Sequence, residues 1–400
     1  MTATNQADSP FRSSSDDFAS VAAALARKLA ETAVERDRRG GTAKAERDLI
    51  RSSGLLALSI PRAYDGGGGS WPATLAVVRQ LARVDGSLAH LFGFHHLLVA
   101  TVRLFGDETQ WRAAYAGTVE HGWFWGNALN PLDTRTTIVR VSPREHAVEG
   151  TKSFCSGASD SDRLVISALD ADRRLRIAAI PTARAGISIE NDWDNMGQRQ
   201  TDSGTVTFRA VRVEEAEVLQ TPGPLGSVFA SLRPCIAQLV LANVFLGLGE
   251  GALEEARAFT RTATRPWFTA GVASAGDDPY VLHRYGELWL GLAGARALAD
   301  AAGEALDHAW SRGDGLTREE RGACALAIAA AKVQSARAGL DVATRLFEVT
   351  GARATAARHG LDRFWRNLRT HTLHDPIDYK LRELGQWALA DALPIPSFYS

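Results

Sequence analysis

The chain is short of cysteine. Three residues, Cys155, Cys235 and Cys324, are spread over 400 positions with no C-x-x-C pair. That spacing excludes a disulfide framework and fits a reducing compartment, here expected to be the cytoplasm. Charge of one sign is also missing. Lys and Arg total 45 against 46 Asp and Glu, for a net charge of −1, with no basic stripe and no acidic tail. A nucleic-acid partner is therefore not expected. The first 17 residues are polar and lack the apolar core of a signal peptide. They are expected to be disordered. The longest apolar run, 236–248, carries Gln238 and Asn243 and is too short to span a bilayer, so no membrane association is expected. No H-E-x-x-H, internal repeat or low-complexity linker occurs.

What is present is a core-forming composition, 45% hydrophobic, arranged in three regions. Residues 18–121 have helical periodicity, with Val21, Leu25 and Leu29 at intervals of four and Leu75, Val78 and Leu81 at intervals of three. In 122–226 the period changes to two: stretches such as 137–142, 174–180 and 205–213 alternate or run β-branched between turn residues, which predicts a small antiparallel sheet domain. Helical patterning returns over 227–400 in four blocks, roughly 229–264, 279–312, 317–352 and 360–392. The breaks fall at Arg265-Pro266, 313–315 and 351–352. Four such blocks predict an antiparallel bundle.

Several motifs carry chemistry. The segment 150–157 (GTKSFCSG) alternates, which predicts Phe154 and Ser156 on one face of a strand and Cys155 on the other. The alternative is a plain strand rhythm. His90 and Phe94 lie four apart on a helical stretch and share a face. A lone histidine beside Leu91 and Phe92 is otherwise an ordinary buried residue. Trp123, Phe124, Trp125 and Asn127 form a compact cluster of aromatics and one amide, equally readable as core. His371 and His374 are three apart, but two histidines lack the further ligand a metal requires. Gly247, Gly249 and Ala252 fit G-x-G-x-x-[GA], the dinucleotide fingerprint. That motif needs a preceding strand, and 235–259 is helical in pattern, so close helix packing is the preferred explanation.

In order along the chain, the blocks 32–38 (TAVERDR), 85–93 (DGSLAHLFG), 150–158, 197–204 (GQRQTDSG), 261–267 (RTATRPW) and 363–376 (RFWRNLRTHTLHDP) resemble the acyl-CoA dehydrogenase superfamily. They resemble most its reduced-flavin monooxygenase branch, which includes enzymes that oxidise dibenzothiophene and indole-oxidising relatives of terpenoid biosynthesis. The last block departs from the dehydrogenase pattern. Where those enzymes place a glutamate that abstracts the substrate α-proton, this chain has Asp375, one methylene shorter and followed by Pro376.

The resemblance implies a mostly α fold with a central β domain: an N-terminal helical domain, an antiparallel β-barrel-like domain and a C-terminal four-helix bundle. It implies a two-component enzyme that takes reduced flavin (FADH2 or FMNH2) from a separate NAD(P)H-dependent reductase and activates O2 as a flavin C4a-hydroperoxide. The oxygen would pass to a small fused aromatic heterocycle, with ring hydroxylation of an indole slightly preferred to S-oxidation of a thiophene. A true acyl-CoA dehydrogenase using Asp375 or Glu250 as base is the other catalytic alternative. A homotetramer, a dimer of dimers, is implied as well. Carried over residue by residue, His90, Asn127, Ser156 and His374 are the catalytic candidates. Phe154, Ser156, Trp193, Arg265, Asn367 and Arg369 are the flavin-binding candidates. Phe94, Phe124 and Trp125 are candidates for the substrate pocket. Phe94 stands where those relatives have a tyrosine, which makes the pocket more apolar.

Overall fold

The computed structural model describes residues 15–400, with side chains from Phe18 onward. The expectation of disorder for 1–14 lies outside the described residues, and the first helix already begins at Ser15. Among the described residues six α-helices build the N-terminal region: α1 (Ser15–Ala30), α2 (Ala33–Arg39), α3 (Lys44–Ser52), α4 (Trp71–Ala82), α5 (Gly86–Phe105) and α6 (Glu108–His121). Asp85 caps α5 by accepting from Leu88 N at 2.9 Å, and every α5 side chain except Arg103 is buried. A helix apolar on all sides must sit in a core.

The central sheet has seven strands: β1 (Trp125–Ala128), β2 (Thr136–Ser142), β3 (Glu145–Lys152), β4 (Arg163–Leu169), β5 (Leu175–Pro181), β6 (Ile187–Ile189) and β7 (Val206–Glu214). Its path is β1-β4-β2-β3-β7-β6, with β5 on the free side of β4. The expected antiparallel sheet is in fact mixed. β4 pairs in parallel with both β1 and β2, because the chain leaves β3 through the 153–162 loop before re-entering beside β1. This crossover places the 153–162 loop against the helices.

Three long helices follow, α7 (Leu232–Thr262), α8 (Pro279–Ser311) and α9 (Arg318–Thr350). The expected fourth helix is two: α10 (Asp362–His371) and α11 (Ile377–Ala390). Pro376 sits just before α11 and has no N–H to continue α10, so the chain turns through 372–376. α5 and α7 are long and apolar enough to cross a bilayer by composition, but 94% of each apolar window is buried within the protein.

α7 is continuously helical through the glycine motif, so the dinucleotide fingerprint lacks its strand. The glycines serve packing. A β-carbon on Gly249 would stand 3.0 Å from Gly339 Cα, and one on Gly251 would stand 1.9 Å from the Arg83 carbonyl oxygen. Gly251→Ala is expected to cost at least about 1–3 kcal/mol, since the obstacle is backbone that cannot rotate away. Urea unfolding would show it, and an unchanged midpoint would refute it.

Candidate active site

A cavity of about 650 Å³ opens between α5, α10 and the loops that leave β1 and β3. Its walls include His90, Phe94, Asn127, Phe154, Ser156, Trp193, His371 and His374. The fold thus brings most of the expected site residues together from three separate regions.

His90 and Phe94 meet as the i, i+4 spacing predicts, with ring centroids 4.1 Å apart. The His371 ring lies 4.6 Å from His90, edge on. Neither His90 Nδ1 nor either ring nitrogen of His371 has a hydrogen-bond partner among the described residues. Burial pushes His90 down to about 3, with the charge of His374 a lesser cause, and pushes His371 well below its ordinary value. Both rings are therefore neutral at working pH. The neighbouring histidines on α5 differ. His95 contacts the Leu56 carbonyl at 2.8 Å through Nε2, and His96 contacts Ser59 Oγ at 2.8 Å through Nδ1. Those two knit the core, whereas the His90–His371 pair keeps free polar atoms at the cavity.

Phe154 and Ser156 line the cavity for a reason other than strand alternation. β3 ends at Lys152, and Phe154 adopts φ +59°, a left-handed turn that leaves its ring 59% exposed toward the opening. The turn is held from below. Asp133 accepts from Ser153 N and Oγ, both at 3.0 Å, and Lys152 Nζ donates to the Asn130 carbonyl at 3.0 Å. The Trp193 ring meets Phe154 edge on at 6.0 Å, and its Nε1 donates to the Gln198 carbonyl at 2.8 Å. Ser156 Oγ lies 2.7 Å from Ser203 Oγ, which lies 2.7 Å from Thr201 Oγ1. Thr201 Oγ1 in turn donates to the Gln198 carbonyl at 2.9 Å. This hydroxyl chain orients Ser156. Asn127 N donates to the Ser156 carbonyl at 3.0 Å, and Asn127 Oδ1 accepts from Leu129 N at 3.2 Å. The amide nitrogen of Asn127 has no partner among the described residues.

His374 lies beyond the end of α10, and its Nδ1 is 2.8 Å from Asp375 Oδ1. A carboxylate only accepts, so Nδ1 carries the proton. Asp375 Oδ2 lies 2.5 Å from Lys332 Nζ, which is buried in α9 and donates also to Gln238 Oε1. Burial opposes ionisation of Asp375, but the His374 hydrogen bond and the Lys332 charge hold it well below the usual carboxylate range. A carboxylate so held is a poor proton acceptor. Glu250, the other candidate base, is bound by Arg83 at 2.8 Å and Arg296 at 2.6 Å and does not line this cavity.

Five expected site residues do not line this cavity. Phe124 and Trp125 are core residues and do not line the pocket. Phe124 packs beneath the Arg47 guanidinium, 4.4 Å from its ring, and Trp125 Nε1 donates to Thr118 Oγ1 at 2.9 Å. Both faces of β1 are covered, so alternation could not sort core from cavity there. Asn367 is committed to the fold: its Oδ1 accepts from Gln198 N at 2.6 Å, tying α10 to the 197–204 loop. Arg265 is exposed on the loop after α7. The middle of α7 touches His371 through Phe245, at 5.4 Å, and the helix then runs on to Thr262. At 1.5 Å per residue that carries the end of α7 about 25 Å past the contact, and Arg265 lies beyond that end. Arg369 is half-buried with Nε unpartnered, adjoining Thr370 of the cavity wall.

The residues present fit a flavin. Unpartnered nitrogens converge where a polar ring edge would sit, and the Phe154 ring stands free to pack against a flat face. Two family models match the chain: acyl-CoA dehydrogenase, N-terminal domain, over residues 17–119, and acyl-CoA dehydrogenase, C-terminal domain, over 239–379. The chain belongs to the acyl-CoA dehydrogenase family. Within it the chain is 59% identical, over 95% of its length and 96% of the relative's, to a Pseudomonas putida protein named Probable FMNH2-dependent monooxygenase SfnC. The solved structure of methanesulfinate monooxygenase MsuC from Pseudomonas fluorescens is 58% identical, with a TM-score of 0.94, covering 95% of this chain and 99% of that one. The complex of TdsC from Paenibacillus sp. A11-2 with FMN and indole is 43% identical, with a TM-score of 0.93, covering 96% and 100%. The chain is thus an oxidoreductase of the reduced-flavin monooxygenase branch, with reduced flavin as its cofactor.

Several wall residues had no signal in the sequence. Leu132 and Tyr399 line the cavity from segments with no motif of their own, and Gln198 and Thr370 line it from within the 197–204 and 363–376 blocks, where nothing singled them out. Ser203 and Thr201 fall inside the 197–204 block, where their spacing alone gave no role.

Proposed function

We propose that this monooxygenase oxygenates the sulfur of a small sulfur oxyanion of the alkanesulfinate type, in place of the indole carbon first expected. The observation that carries this reading is the character of the wall. It offers Asn127, Ser156, His90, Thr370 and Tyr399 as polar groups, and among the described residues no carboxylate lines it to repel an anion. With Phe124 and Trp125 in the core, the aromatic enclosure suited to a fused ring comes down to Phe94, Phe154, Trp193 and the phenol ring of Tyr399. The 58% identity to a methanesulfinate monooxygenase supports the same reading. A fused heterocycle remains the second reading, favoured by the Phe94 ring tilted against His90 at the cavity wall and by the indole held in TdsC.

Reduced FMN supplies the electrons and the site at which O2 is activated. The chain's own residues do the rest. Phe154 and Trp193 would hold the ring, and Ser156, whose one hydroxyl proton goes to Ser203, would accept from a donor at its edge. His90 and Asn127 offer polar groups where charge develops, and donors positioned in advance need no reorganisation there. His374, set by Asp375, closes the far side. A sulfur lone pair accepts the oxygen directly, so no carbon acid is deprotonated and a base at 375 is not needed. Arg369 is the candidate for the flavin phosphate within this chain. Arg265 could reach a phosphate only in a neighbouring copy, which fits a homotetramer. Reduced flavin would come from a separate NAD(P)H-dependent reductase in the cytoplasm.

The test is turnover with FMN, NADH and a generic flavin reductase under ¹⁸O2, offering methanesulfinate, dibenzothiophene and indole separately. Label in methanesulfonate is expected. Label only in an indole or dibenzothiophene product would refute the sulfinate reading.

A further inference from the structure

One wall of the cavity comes from neither the bundle nor the sheet. After α11 the chain runs irregularly through 391–400 and is pinned at two points. A β-carbon on Gly322 would stand 2.8 Å from Leu393 Cδ1, so the glycine leaves the space that Leu393 fills. Buried Arg321 donates to the Ser400 carbonyl at 2.6 Å, and to Ser231 Oγ and O at 3.1 and 3.0 Å. Ser397 N closes a turn on the same Ser400 oxygen at 3.0 Å. Beside the second pin stands Tyr399. It lies between the 650 Å³ cavity and a neighbouring one of about 300 Å³, which share it with His374 and Leu132. Its ring centroid is 6.2 Å from that of His374. Its hydroxyl has no hydrogen-bond partner among the described residues. Burial and then the Asp375 charge push the phenol above its ordinary value, against the opposing charge of Arg233. Tyr399 therefore remains an O–H donor at working pH, and its acceptor is not supplied by the described protein.

We propose that Tyr399 determines specificity: its hydroxyl donates to a sulfinate oxygen of the bound substrate, and the 391–400 strap fixes it there. This rests on the sulfur-oxyanion reading above. Tyr399→Phe keeps the ring and both pins and removes only the hydroxyl. KM for methanesulfinate is expected to rise about tenfold, as for loss of a hydrogen bond to a charged acceptor. Wild-type kcat, FMN affinity and thermal midpoint should be retained. A purely structural strap behaves differently. Arg321→Met, which frees the second pin, lowers the midpoint and FMN affinity, whereas Tyr399→Phe then leaves KM alone. Unchanged KM in Tyr399→Phe, beside wild-type turnover of methanesulfinate, overturns this inference and leaves the proposed function standing. Wild-type enzyme that oxidises indole or dibenzothiophene but not methanesulfinate overturns both.

Discussion

Replacing His90 with phenylalanine is expected to cut coupled oxygenation about a hundredfold, the effect of removing one positioned polar group from such a site. FMN binding should survive. The His90 ring is buried on α5, and burial lowers it to about 3, so it is neutral from pH 5 to 9 and adds no inflection of its own to the pH profile. Its Nδ1 has no partner among the described residues. Leaving a buried polar atom unpaired costs about 1–3 kcal/mol, so the variant should be no less stable than the parent. The loss therefore has to appear in chemistry. Oxygen uptake should continue while product falls, with the difference recovered as hydrogen peroxide. Product formation within threefold of wild type, under the same coupling, would make His90 a packing residue beside Phe94 and His371.

The histidine could be placed from sequence because helical spacing is local: His90 and Phe94 share a face whatever surrounds α5. Ser156 and Phe154 were also recoverable, though through a false intermediate. Alternation put them on a strand, whereas a left-handed residue and the Asp133 bracket turn them toward the cavity. Both routes give neighbouring side chains, and only the motif block told that they matter. Phe124 and Trp125 show where local pattern stops. Their burial depends on Arg47 and Thr118, 77 and 7 positions earlier, and no periodicity in β1 encodes which helix will cover it. The order of helical, sheet and bundle regions was legible because the period changes twice. The parallel pairing of β4 was not, because pairing partners are set by a crossover and not by composition. Tyr399 is the extreme case: it reaches His374 only through an irregular tail pinned by Arg321, and nothing within several residues of it announces a site.

Lys332→Met should destabilise the fold by about 3–5 kcal/mol, the usual result of removing one member of a buried ion pair. The lysine is almost wholly enclosed by the bundle, and burial lowers it to about 8 despite Asp375 at 2.5 Å. Methionine fills similar space but leaves the Asp375 carboxylate with His374 and a long 3.5 Å contact from Gln238 Nε2 and no full charge to balance it. The double variant Lys332→Met with Asp375→Asn removes the stranded charge and should recover more than half of the loss. A double variant no more stable than Lys332→Met would mean that packing, and not charge, sets the cost. The pH dependence has a definite sign. Asp375 is held well below its unfolded value in the native protein, so its contribution is complete above the ordinary carboxylate range near pH ~4. It is lost as pH falls through that range and further toward the native value. Acid unfolding of Lys332→Met should therefore depend less steeply on pH than that of wild type. The same pair separates this enzyme from a dehydrogenase. A base for α-proton abstraction needs a carboxylate poised near working pH and facing the flavin cavity. Asp375 is neither: it faces Lys332, and its ion pair turns His374 toward the cavity in its place. Wild-type enzyme loaded with oxidised FMN should accordingly remain unbleached when mixed with an acyl-CoA, and prompt bleaching would show that Asp375 can leave Lys332 and act as a base.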